Sequence, residues 1–166
     1  MINKALEIDS KYTEAISYKG YILSCLDKKQ EAIDAYKQII EDHPKYPRIH
    51  KHIGNLYNDL GMKIDALDFF NKAILVNHND SIAYFNRGTI LLEINEKEEA
   101  LTAFNKAVEK TPNYPMAHYN RAKVLKMLGK NVEALAAYDK ALDYDSNYSA
   151  AYTGKAIVLG IMGKTQ

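Results

Sequence analysis

Apolar and polar positions along this chain alternate with helical spacing, and the arrangement recurs. Between residues 81 and 92, Ile82, Phe85, Thr89 and Leu92 fall on one stripe and Tyr84, Gly88 and Leu91 on another. Residues three and four apart share a helix face, so this segment is expected to be a helix. A second helix carries Glu99-Ala100-Leu101, Phe104 and Ala107 and is expected to end near Pro112. The first helix should stop near Asn95, whose equivalents are Asp27, Gly61, Gly129 and Gly163. These residue types can enter the left-handed conformation that ends a helix. Pro44, His78 and Ser146 take the place of Pro112 elsewhere along the chain.

The helix pair repeats every 34 residues. Ala32, Ala66, Ala100 and Ala134 hold that step, each preceded by an acidic residue and followed by Ile or Leu. Tyr36, Phe70, Phe104 and Tyr138 follow four residues later. Gly20, Gly54, Gly88, Ala122 and Ala156 form another column, as do Leu23, Tyr57, Leu91, Leu125 and Leu159. A fifth runs through Ala5, Ile39, Ala73, Ala107 and Ala141. Several columns in one register predict a stack of supersecondary units, because one helix pair cannot bury its own apolar face. Gly88 and Ala100 remove bulk where paired helices cross, letting the axes approach to about 8–10 Å. The ring of Phe104 is then expected to fill the gap against the following unit.

The residues Tyr84, Gly88, Leu91, Ala100, Phe104, Ala107 and Pro112 resemble the signature of the tetratricopeptide repeat (TPR) family. The resemblance implies an all-α fold, a right-handed α-solenoid of antiparallel helix pairs. Four units are expected at 13–46, 47–80, 81–114 and 115–148. Residues 1–12 read as the end of a preceding second helix, and 149–166 as a lone first helix. The family's Trp position holds Ile16, His50, Tyr84, His118 and Tyr152, and its Leu position holds Lys19, Ile53, Arg87, Arg121 and Lys155. These departures make the packing between helices less hydrophobic than the family norm.

Composition narrows the chemistry. Of 166 residues, 47% are apolar and 26% charged, a mix that excludes a disordered chain. Lys and Arg number 22 against 21 acidic residues, which disfavours nonspecific nucleic-acid binding or a polybasic membrane anchor. RNA recognition by helical repeats is disfavoured further because no basic column stacks from unit to unit. The single cysteine, Cys25, excludes an intramolecular disulfide framework and reads as an inert thiol. His50 and His52, two apart on a helix, point in opposed directions and cannot share a metal. No phosphate loop, nucleophile elbow or zinc-binding His-Glu-x-x-His motif is present. No enzyme, cofactor or metal is therefore expected. The chain also lacks an apolar run long enough to span a bilayer and a secretory signal, so a reducing, cytoplasmic setting is the default expectation.

The resemblance also implies where a partner binds. In the TPR family the first helices line a concave groove, with the ligand-facing stripe at unit positions 2, 5, 6, 9, 12 and 13. Transferred to this chain, the stripe includes Ser17, Tyr18, Tyr21 and Cys25 in the first unit, and Lys51, His52 and Asn55 in the second. The third contributes Phe85, Asn86 and Thr89, and the fourth Met116, Tyr119, Asn120 and Lys123. Asn86 and Asn120 occupy equivalent positions, and primary amides both donate and accept, so they suit the peptide groups of an extended segment. The peptide-binding set is thus Lys51, Asn55, Phe85, Asn86, Thr89, Tyr119, Asn120 and Lys123. A narrower family mode, the clamp on a chaperone's C-terminal carboxylate, is matched by Lys51, Asn55 and Asn86. Met116 and Asn120 replace its other two cations, which weakens carboxylate capture. The expected function is a non-catalytic scaffold holding a peptide or helix of a partner protein. The alternative is a structural module that self-associates as a homo-oligomer through its terminal helices, with Tyr152, Ala156, Leu159 and Met162 forming an uncovered apolar strip.

Overall fold

The computed structural model describes the backbone of residues 2–44, 46 and 48–163, and side chains from residue 12 onward within that range. All regular structure among the described residues is helical. The chain forms two compact units, Met1–His78 and Asn79–Gln166. The first holds α1 (Ile2–Cys25), α2 (Lys29–Asp42), α3 (Ile49–Asp59) and α4 (Lys63–Val76). The second holds α5 (Ser81–Glu93), α6 (Lys97–Lys110), α7 (Pro115–Met127), α8 (Asn131–Tyr144) and α9 (Ser149–Gly163). Consecutive helices pack as antiparallel pairs, α1 with α2, α3 with α4, α5 with α6 and α7 with α8, and α9 lies on α8. This is the all-α solenoid class that the 34-residue repeat implies.

Local chemistry sets where each helix begins and ends. Asp80 caps α5, its carboxylate accepting from the backbone N–H groups of Ile82 and Ala83, both at 3.1 Å. Pro115 opens α7, where its missing N–H costs nothing. Asp27, Gly61, Asn95 and Gly129 take positive φ angles of 59°, 75°, 67° and 73° and so turn the chain between the helices of each pair. Gly163, the fifth residue of that column, instead lies within α9 as its last residue. The second helices end at Asp42, Val76, Lys110 and Tyr144, two residues before Pro44, His78, Pro112 and Ser146.

One expectation changes at this level. The segment 1–12 does not form a separate helix end: α1 runs unbroken from Ile2 to Cys25, extending the first helix of the first pair. The aromatic column also packs inside its own pairs. The Phe104 ring lies over Gly88 of its own pair, where an added methyl would stand 2.9 Å from Cε1. Tyr36 meets Gly20 and Phe70 meets Gly54 in the same way. In these three pairs small residues in one column and rings in the other are two halves of one contact, and the column also meets the next first helix, Tyr36 at His52 of α3 and Tyr138 at Gly154 of α9. Burying a ring such as Phe104 completely contributes about 1.5–3 kcal/mol.

The second unit has a further contact of this kind. Tyr138 is fully buried in a cluster with Ala122, Leu125, Ala137, Ala151 and Val158. Its ring presses against Gly154 of α9, while the column position opposite it in its own pair is Ala122. Lys155 reaches back from α9 to Asp139 of α8 at 2.6 Å, and the Thr111 hydroxyl donates to Ser81 at 2.8 Å, tying the end of α6 to the start of α5.

Candidate functional site

Helices α5 and α7 carry six of the eight peptide-binding candidates. On α5, Phe85 packs against Phe104 and Tyr114, with ring centroids 5.8 and 5.1 Å apart, and only 9% of it is exposed. It lies as a floor under the surface. Thr89 is half-buried and its hydroxyl donates to the Phe85 carbonyl at 3.1 Å. Asn86, one residue beyond Phe85, is half-buried.

On α7, which touches α5 directly, the Tyr119 ring sits between Tyr138 and Tyr148, at centroid distances of 5.9 and 5.0 Å. The Lys123 ammonium stands 5.9 Å from the Tyr119 ring centroid, one helical turn along. Asn120 donates one amide hydrogen to the Met116 carbonyl at 3.0 Å. That bond leaves its amide oxygen as an acceptor and holds the side chain in one orientation. The result is a polar strip of amide, hydroxyl and ammonium groups on an aromatic base.

Behind the strip the environment is apolar. Burial pushes the Tyr138 hydroxyl up to about 12, and that hydroxyl has no hydrogen-bond partner. His118 is buried at the family's Trp position, its ring stacked on Tyr144 at 5.6 Å and its Nε2 2.8 Å from the Pro112 carbonyl. Burial holds its imidazole below the ordinary value, opposed by the Pro112 carbonyl and helped by the Arg121 and Lys140 charges.

In the first unit, Lys51 and Asn55 lie one turn apart on α3, half-buried and exposed respectively. Beside them is a pocket of about 250 Å³ lined by Ser17, Tyr18, Tyr21, Tyr36 and His52. His52 stacks nearly parallel on Tyr36, 5.4 Å between centroids at 14°. Four of these five belong to the inferred ligand-facing stripe. The fifth, Tyr36, comes from the aromatic column, which sequence reasoning had assigned only to packing. The signal was the two columns meeting, and sequence alone does not bring them together.

On α9, Tyr152, Ala156 and Leu159 are exposed, whereas Met162 is half-buried and packs onto the cluster around Tyr138. Ile157 and Ile161 are exposed in addition. Among the described residues no three His, Cys, Asp or Glu side chains stand together as metal ligands, and no helix is long and apolar enough to cross a membrane.

Models of the tetratricopeptide repeat match residues 12–46, 69–102 and 115–148, and a TPR repeat model matches 88–129. The chain belongs to the TPR family. No curated protein matches the sequence. Among solved structures, the crystal structure of MamA is similar, at 24% identity over 87% of this chain and 84% of that one, with a TM-score of 0.82. The first TPR domain of Spaghetti (RPAP3), bound to the HSP90 peptide SRMEEVD, shares 22% identity over 69% of this chain and 91% of its own, with a TM-score of 0.68. The TPR domain of Arabidopsis OM64 shares 22% identity over 69% and 94%, with a TM-score of 0.66. At these identities the likeness is one of fold. Within this TPR chain, histidine stands at the Trp position of two repeats, His50 tilted against Phe69 at 6.3 Å and His118 stacked on Tyr144 at 5.6 Å.

Proposed function

We propose that this TPR chain is a non-catalytic scaffold that holds an extended peptide or a helix of a partner protein on the face presented by its first helices. The observation that carries the reading is the strip on α5 and α7. There, Asn86, Thr89, Asn120 and Lys123 share α5 and α7 with the buried Phe85 and the half-buried Tyr119, whose ring meets the buried Tyr138. Amides spaced along two neighbouring first helices suit the N–H and C=O groups of a peptide backbone without reading its side chains. Lys123 adds attraction for a carboxylate, and the aromatic base excludes water beneath the contacts. The Spaghetti domain supports the reading by example, since it is seen bound to a peptide. In the first unit, Lys51 and Asn55 form a smaller strip of the same type on α3.

Replacing Asn86→Ala together with Asn120→Ala is expected to abolish capture of a partner while helicity stays intact, read by pull-down and far-ultraviolet circular dichroism. Undiminished capture by the double variant would refute the amide assignment. Amidated and free-acid forms of a short acidic C-terminal peptide are expected to bind alike, because two clamp cations are replaced by Met116 and Asn120.

A second reading, association with copies of the same chain, is favoured by the exposed apolar side chains Tyr152, Leu159, Ile157 and Ile161 on α9. It requires light scattering to show a mass that rises with protein concentration and falls in a Leu159→Glu variant; a strict monomer at high concentration refutes it.

A further inference from the structure

We propose that the pocket formed by α1, α2 and α3 is a subsite for one aromatic side chain of a partner peptide whose flanking residues are acidic. The proposal deepens the scaffold reading and rests on it.

The pocket's walls are rings. Tyr36 is almost fully buried and forms the floor, and His52 lies flat on it. Tyr18 and Tyr21 stand at the mouth with 71% and 59% of their surface exposed. The two tyrosines occupy consecutive positions on one helix face, three residues apart, so both present aromatic surface to the same space. Aromatic rings left in water at a concave site are what a docking surface offers, because covering them is the favourable step. A volume of about 250 Å³ admits a single large side chain.

The occupant's chemistry follows from the walls and their charge. Rings meeting rings choose edge-to-face or offset-stacked arrangements, which an aliphatic side chain cannot make. A cation is disfavoured, although tyrosines can cage one, because Arg48 and Lys51 stand at the start of α3 next to His52. Burial first, then the charges of Lys51 and Arg48, hold the His52 imidazole below its ordinary value, so at neutral pH it acts as an uncharged aromatic wall. The same two cations attract carboxylates that flank the inserted ring on the α3 side.

The chain contains no tryptophan, so indole emission reports on an added peptide alone. The probes are N-acetylated, C-amidated pentapeptides: Glu-Glu-Trp-Glu-Glu, Lys-Lys-Trp-Lys-Lys and Glu-Glu-Ala-Glu-Glu. Blocked ends remove any contribution from a terminal carboxylate. The acidic tryptophan peptide is expected to show a saturable blue shift, with the lysine peptide at least tenfold weaker and the alanine peptide failing to compete. Tyr18→Ala with Tyr21→Ala should weaken binding tenfold or more, and both positions are exposed enough for the fold to persist, as circular dichroism will show. Arg48→Glu with Lys51→Glu should reverse the charge preference. No saturable shift, equal binding of the lysine peptide, full competition by the alanine peptide, or an unchanged tyrosine variant each overturns the subsite. Failure of the scaffold reading looks different: the unsubstituted chain then captures no partner protein in the pull-down, whatever the tryptophan peptide does.

Discussion

Adding a single methyl group at Gly154 tests the contact that fastens α9 to the rest of its unit. A Cβ there would lie 2.5 Å from Tyr138 Cε1 and 2.6 Å from its hydroxyl oxygen, about 1 Å short of ordinary contact, which begins at 3.4 Å. The ring has nowhere to retreat, because Tyr138 is fully buried and Ala122 already occupies the position opposite it in its own pair. Forced overpacking of a closed core costs about 1–3 kcal/mol, and an overlap of this depth belongs in the upper half of that range. Alanine returns about 1 kcal/mol of helix propensity, leaving a net loss of about 1–2 kcal/mol for Gly154→Ala. For a chain of this length that lowers Tm by about 3–6 °C. Gly160 on the same helix has nothing within 4 Å of an added methyl and is exposed, so Gly160→Ala keeps the propensity gain without the clash. It should raise stability by up to about 1 kcal/mol. Thermal and urea unfolding followed by far-ultraviolet circular dichroism compare the two variants. Shifts of the same sign at both positions would refute the steric account of the glycine–ring contact.

Acid should loosen the fold through its histidines. His50 and His118 are buried, each has an Nδ1 without a hydrogen-bond partner, and burial lowers both below their ordinary value. A depressed histidine means that the unfolded chain binds the proton more readily, so this stability is fully present above about pH 6.5 and is lost as pH falls through the lower folded-state values. The urea midpoint should therefore drop between pH 7 and 5, and His50→Gln with His118→Gln should flatten the slope; a slope unchanged by the double substitution would contradict the assignment. Asp80→Ala removes the cap that accepts from Ile82 and Ala83 and should cost about 1 kcal/mol, with Asp80→Asn restoring most of it in the same urea assay.

Much of this architecture is legible in the residues alone. Columns 34 apart give the unit, and the left-handed positions at Asp27, Gly61, Asn95 and Gly129 mark the turn inside each pair. Those signals are local: they depend on backbone sterics and on the need of one helix pair to find another. The aromatic column shows where sequence stops. Phe104 is visibly a packing residue, but its spacing does not say whether the ring lies on Gly88 of its own pair or on the next unit, since both lie within reach of one side chain. Phe85 shares its stripe with Thr89, yet it turns down between Phe104 and Tyr114, whereas Thr89 stays half-buried. Met162 and Ile161 are adjacent on α9, and rotation of the helix on α8 decides which is covered.

The sequence by itself determined the helix pairs, their repeat and the family, because helical periodicity, small-residue columns and helix-ending residues act over a few turns of chain. Only the tertiary structure decided which rings became floor and which stayed at the surface. It also decided that Tyr36, a packing residue by its column, meets His52, Tyr18 and Tyr21 to make a pocket. The reason is physical: periodicity fixes the direction of a side chain relative to its own helix, whereas burial depends on what a neighbouring helix brings to the same place.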